Sequence, residues 1–190
     1  PEYLQARNLR VTHTVTMEDP FLNQGYMTKL IAPQFSQQVV EWALDYQKLY
    51  EAMLAGNLQY SNDPEDYWTL NQFGWLLILQ LTDDDVVPRS LVHGYLEGWI
   101  DLLCDAKRDP SWLSFSISER LCNWINIFSI NSGGGSSYKI RKSMIDQASH
   151  LASNLETLRD GTTNNHLLNI GRALYTVGNM FSCKDMTFIG

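Results

Sequence analysis

The residues whose types and spacing best suit chemistry are Asn164, Asn165 and His166, in the run Thr162-Thr163-Asn164-Asn165-His166-Leu167-Leu168 that follows Asp160-Gly161. They head an apolar periodic segment that extends to about Phe181. Leu167, Ile170, Leu174, Val177 and Phe181 recur at three- and four-residue steps, widened by Leu168, Tyr175 and Met180, which predicts a mostly buried helix. Two readings of its start are open. Asn164 or Asn165 is a good N-cap, because an amide oxygen accepts from the free N–H groups of the first turn. The same helix end favours negative charge, so Asn and His donors beside it form a corner suited to gripping a carboxylate.

Other clusters fit chemistry less well. Asp63, Glu65 and Asp66 are the paired carboxylates a glycoside hydrolase would need, but they stand at a helix start, where exposure rather than a raised pKa is expected. Asp83-Asp84-Asp85 lacks the Gly and the distal Glu of a calcium loop and reads as a cap. Asn131 to Ser137 is glycine-rich without the Gly-Lys-Ser/Thr ending of a phosphate loop, so it reads as a connector. No His/Asp/Glu cluster has ligand spacing, and neither a metal nor a cofactor is expected. Cys104, Cys122 and Cys183 are odd in number and contain no Cys-x-x-Cys pair, so they suggest neither a zinc site nor a disulfide framework. Cys104 and Cys122 read as small buried side chains, Cys183 as an exposed one near the C-terminus. His13 and His93 read as surface or packing residues.

The elements that position these residues are helical. With 190 residues, 44% hydrophobic content and 6 Trp, 9 Tyr and 7 Phe, the chain can bury a sizeable core. A formal net charge of -7 argues against nucleic acid as a partner. Lys139, Arg141, Lys142 and Arg172 are available for a local basic cleft, although the Lys139–Lys142 group reads as a solvated face. No run of about 18 apolar residues exists to span a membrane. Residues 1–33 show no sustained period and form an irregular arm; Val11 to Thr16 alternates like a short strand, and Pro20, Gly25 and Pro33 break the remainder.

From residue 34 the fold class is all-α, expected as six helices. The first is capped by Ser36, runs to about Ala55 and stops at Gly56-Asn57. The second starts at Asp63-Pro64-Glu65 and runs unbroken to about Leu81. The third spans about Pro88 to Lys107, with His93 on its stripe. The fourth opens at a capping box, Ser116 to Glu119, and ends near Ile130. The fifth covers about Tyr138 to Leu158, and the sixth is the Asn165 helix. The second, fourth and sixth are the more apolar, which suggests antiparallel hairpins forming the inner and outer helices of part of an (α/α) toroid. A whole toroid needs about twice this number of helices. The 34–190 domain is therefore expected to be incomplete, with an open apolar edge that promotes self-association.

Three stretches resemble one family in the expected order: Trp68-Thr69-Leu70-Asn71-Gln72-Phe73-Gly74-Trp75-Leu76-Leu77, Ser116-Ile117-Ser118-Glu119-Arg120-Leu121-Cys122-Asn123-Trp124-Ile125, and Asn164-Asn165-His166-Leu167-Leu168 followed by Gly171-Arg172-Ala173-Leu174-Tyr175. They are similar to the aromatic helix, the Arg-x-x-Asn-Trp-Ile helix and the Asn-His-Leu motif of heparinase II/III-like and alginate-lyase-like polysaccharide lyases. The likeness covers about residues 60 to 181, and departs at Gln72 and Gly74, where the family more often carries His or an aromatic and Asp or Tyr.

This resemblance implies a toroidal fold, an anionic polysaccharide partner and β-elimination at a uronic acid. Asn165 matches the carboxylate neutraliser and His166 a histidine that assists as base. Trp68 and Trp124 would stack on sugar rings, Arg120 would pair a uronate or sulfate, and Asn71 would contact substrate. The family's principal catalytic Tyr lies beyond the matched stretches, and Tyr175 sits too deep on the apolar stripe to replace it, so this part alone is expected to be inactive. A periplasmic or secreted location is favoured over a cytoplasmic one. The competing expectations are a toroidal hydrolase and a non-catalytic helical scaffold that binds glycan or protein.

Overall fold

Apolar periodicity becomes helix wherever residues are described, and the chain is all-α there, with no strand among the described residues. The structure is a computed structural model that describes residues 35–57, 64–82, 87–130, 135–155 and 165–190. The arm at 1–33, Asp63, Asp83 to Asp85, Asn131 to Gly134 and Thr162 to Asn164 lie outside the described residues.

Helix α1 (Gln37–Leu54) follows Ser36 and closes at Gly56, whose φ is +71°. The N–H of Gly56 bonds to the Met53 carbonyl at 3.0 Å and that of Asn57 to Ala52 at 2.9 Å. This paired closure needs a left-handed residue, which glycine supplies without a Cβ clash.

The expected single helix from 64 to 81 is in fact two, α2 (Pro64–Gln72) and α3 (Gly74–Thr82). Phe73 between them has φ 63°, a conformation that costs a bulky L-residue about 1–3 kcal/mol. Burial offsets that cost. The Phe73 ring is fully buried, with centroids of Tyr50, Trp124 and Trp75 at 5.2, 5.6 and 6.0 Å. Hydrophobic pattern did not reveal the break because Leu70, Phe73, Leu76 and Leu77 keep three- and four-residue steps across it.

Helix α4 (Arg89–Leu103) stops four residues short of Lys107. The indole N–H of Trp112 donates to the Leu103 carbonyl at 2.7 Å, taking an acceptor that a continuing helix would have used. Asp109 caps the 3₁₀ turn Pro110–Trp112 by accepting from the Ser111 N–H at 2.8 Å. Helix α5 (Ser114–Ile130) begins two residues before the expected capping box. That box is not made: Ser116 is buried inside the first turn, and Glu119 turns outward to Arg172 at 2.7 Å.

Helix α6 (Tyr138–Ser153) is capped by the Ser137 hydroxyl, which accepts from the Ile140 N–H at 3.3 Å. Helix α7 (Asn165–Met180) is followed by a short α8 (Lys184–Ile189) that periodicity did not anticipate. Its docking buries Cys183, so the expectation of an exposed thiol is corrected. Gly178 permits the approach: a Cβ there would lie 2.5 Å from the Thr187 backbone nitrogen.

Helix α5 is the centre of the fold. It packs against α2, α3, α6 and α7, and apolar residues on several of its faces are buried. The apolar stripe of α7 is narrower than its sequence suggests. Ile170, Leu174 and Val177 are buried, whereas Leu168 and Tyr175 are exposed and, with Phe188 on α8, form the apolar surface of the last hairpin.

Candidate functional site

Breaking the helix at Phe73 frees the last carbonyls of α2, and three side chains from elsewhere take them. The Trp75 indole donates to Leu70 at 3.2 Å, Arg120 Nη1 to Asn71 at 3.1 Å, and Asn123 Nδ2 to Gln72 at 2.8 Å. A helix C-terminus carries partial negative charge, so a guanidinium is well placed there. Arg120 also donates through Nη1 to the Ser111 carbonyl at 3.0 Å and through Nε to Gln147 Oε1 at 2.7 Å, and its Cζ lies 4.0 Å from the centroid of the Trp99 ring. Burial pulls its pKa down to about 9, which leaves it a cation at neutral pH.

Asn71 completes the knot. Its amide donates to the Tyr67 carbonyl and accepts from the Trp99 indole, both at 2.8 Å. The Trp124 ring sits between Phe73 and Trp99, at 5.6 and 5.8 Å. Arg120, Asn71 and Trp124 each have 0% exposure, which corrects their expected role as substrate contacts. A polymer in solvent cannot touch them, and they hold the α2–α3 break together instead. Trp68, at 36% exposure, remains open to solvent.

Asn165 is exposed in the first turn of α7. His166 is half-buried, its ring centroid 5.2 Å from that of Phe115 at the start of α5. Phe115 and Arg120 are five residues apart on α5, hence about 140° apart around its axis. The expected site residues are therefore not brought together: Asn165 and His166 stand at the head of α7, and the Arg120 knot lies on another side of α5. Tyr175 is exposed rather than deep in the stripe. It is still about 15 Å along the axis from Asn165, out of reach of the same reacting atom.

The residues available for a basic cleft are spread over local partners. Lys139 pairs with Asp101 at 2.6 Å, Lys142 with Asp146 at 2.5 Å, Arg172 with Glu119 at 2.7 Å, and Arg141 donates to the Ser136 carbonyl. Of the carboxylates considered for hydrolysis, Asp66 accepts from the Tyr46 hydroxyl at 2.6 Å. His93 packs edge-on against Phe128, as a packing histidine should.

Sequence reasoning missed a polar cavity of about 490 Å³ where the end of α4 and the 3₁₀ turn meet the last turns of α6. Cys104, Asp105, Lys107 and Trp112 line one side; Asp146, Ser149, His150, Ser153 and Asn154 line the other. The His150 ring stands edge-on to Trp112 at 5.2 Å, and the Lys107 ammonium lies 5.8 Å from the Trp112 ring centre. Burial, and then Lys107, lower the His150 pKa from 6.5, so its imidazole is neutral at pH 7. No spacing rule joins residues 104–112 to 146–154; the packing of α4 on α6 does. Among the described residues no group of three His, Cys, Asp or Glu side chains can hold a metal ion.

No family model, curated protein or solved structure matches this chain.

Proposed function

We propose that this chain is the N-terminal helical part of a polysaccharide lyase that cleaves uronic-acid-containing glycans by β-elimination. The resemblance of the three motif stretches suggests it, and one observation carries it: Asn165 is open to solvent in the first turn of α7, beside a His166 anchored on Phe115. In this reading the antiparallel helices are the inner and outer helices of part of an (α/α) toroid. Leu168, Tyr175 and Phe188 form the edge through which copies associate.

The proton at C5 of a uronate lies next to a carboxylate and is only weakly acidic. Its removal requires donors already aimed at the charge that develops. The Asn165 amide is such a donor, reinforced by the helix dipole. An imidazole nitrogen of His166 accepts the C5 proton. The electron pair moves to form the C4–C5 double bond, and the glycosidic oxygen leaves from C4 with a proton from a separate acid. Tyr175 is too distant to be that acid.

The test is ultraviolet absorbance from the unsaturated product, with the longest natural form of the protein and alginate, heparan sulfate or hyaluronan, beside Asn165→Ala. A rise that the substitution abolishes is expected. No rise from any of these polymers by a folded protein that binds one of them overturns the elimination chemistry.

A second reading, a glycan-binding helical scaffold without turnover, is favoured by the burial of Arg120, Trp124 and Asn71. Of the expected contacts it leaves Trp68 and Asn165 exposed. Binding with no ultraviolet product is its signature.

A further inference from the structure

The cavity where the end of α4 meets α6 carries charges of both signs that are not paired with each other. Asp105 and Lys107 line it from the segment between α4 and the 3₁₀ turn, and among the described residues neither has an ion-pair partner. Asp146, on the α6 side, is paired with Lys142 at 2.5 Å, and the His150 imidazole is neutral at pH 7. One carboxylate and one ammonium therefore remain, two residues apart in the chain, with Cα atoms within about 7 Å of each other.

The segment that carries them is fixed by hydrogen bonds. The Ala106 N–H donates to the Leu103 carbonyl at 3.1 Å, the Asp109 N–H to the Ala106 carbonyl at 2.8 Å, and the Trp112 indole also to Leu103, at 2.7 Å. Its backbone needs little ordering when a ligand binds. The cavity also has an apolar part: Trp112 is 4% exposed, and the His150 ring stands edge-on to it at 5.2 Å. The volume of about 490 Å³ is within the range of small-molecule sites.

These features select a ligand by charge. A lone anion meets the Asp105 carboxylate as well as Lys107, and a lone cation meets Lys107 as well as Asp105. A molecule with an ammonium and a carboxylate on one carbon gives each wall group its opposite. An apolar substituent on that carbon can then cover Trp112.

We infer that this cavity binds a free α-amino acid with an apolar side chain: Asp105 takes its ammonium, Lys107 its carboxylate, and the Trp112–His150 wall its side chain. The site is independent of the glycan reading of Asn165 and His166, and either stands without the other.

The experiment titrates isotope-labelled protein with L-phenylalanine, with phenethylamine, which lacks the carboxylate, and with hydrocinnamate, which lacks the ammonium. L-phenylalanine should shift the resonances of Trp112, Ser149 and His150 and bind at about 1 mM or tighter. Each fragment, and glycine, should bind about tenfold more weakly. Lys107→Gln should weaken L-phenylalanine by about tenfold and phenethylamine not at all; Asp105→Asn should weaken L-phenylalanine equally and hydrocinnamate not at all. Both side chains are exposed, so neither substitution disturbs the fold.

No shift at the cavity with L-phenylalanine overturns the site. So does a fragment that binds as tightly as the whole amino acid, or a preference over the fragments that survives both substitutions. Glycine binding as tightly as L-phenylalanine also overturns it, because the apolar wall then contributes nothing.

Discussion

Replacing Arg120 by Met tests whether this arginine serves the fold or a ligand. Its hydrogen bonds reach the Asn71 and Ser111 carbonyls and Gln147 Oε1, and its guanidinium covers Trp99. A bond from a charged donor contributes about 1.5–3 kcal/mol, and a desolvated cation over Trp about 2 kcal/mol. Against these stands the several kcal/mol needed to desolvate the guanidinium, which Met would recover. The acceptors left behind decide the sign. Each stays buried, and an unpaired buried acceptor costs about 1–3 kcal/mol. The expected net loss is about 3–5 kcal/mol, as for removing one member of a buried charged network. For a chain of this length that lowers Tm by roughly 10 °C. Thermal unfolding by circular dichroism, with a urea titration beside it, reads the effect. Arg120→Lys keeps the charge but not the fork of donors, and should fall between wild type and Met. A Tm within about 2 °C of wild type would refute the argument. Lost glycan binding at unchanged stability would refute it more directly, by showing that the side chain meets solvent.

Two further predictions follow from close packing and from titration. Gly178→Ala places a Cβ 2.5 Å from the Thr187 nitrogen and 2.6 Å from its Oγ1, so α8 must shift, at about 1–3 kcal/mol. Native-state labelling of Cys183, 1% exposed in the wild type, should then become measurable. Gly94→Ala is the control: nothing lies within 4 Å of its Cβ, and helix propensity should stabilise it by up to about 1 kcal/mol. The depressed pKa of His150 means that the unfolded chain binds its proton first on acidification. That contribution is complete above the ordinary histidine value and declines as pH falls through it towards the folded-state value. Between about pH 8 and pH 5, His150→Gln should lose less stability than wild type; equal losses would refute the assignment.

The helices were legible because their cause is local. Apolar spacing at Ile170, Leu174 and Val177 specifies a buried face whatever it meets, and Gly56 marks an end because few other residues tolerate φ +71°. The break at Phe73 was not legible. A left-handed Phe is sustained by rings and donors from α1, α3 and α5, all supplied by packing. The same holds for Ser116 to Glu119, which has the letters of a capping box but starts within the first turn of a helix that began two residues earlier.

The sequence alone determined that the described residues are helical, where several of the helices start, and that Asn165 and His166 sit at a helix head. Only the tertiary structure decided which polar residues meet solvent. Arg120, Asn71 and Trp124 share helices with exposed residues, and their burial follows from the faces that α2 and α5 turn to each other. The cavity was likewise invisible along the chain. Its two walls lie far apart in sequence, and each is an ordinary helix end until α4 crosses α6. Periodicity reports how hydrophobic a face is, whereas the choice of neighbour depends on contacts between distant segments, which no local spacing encodes.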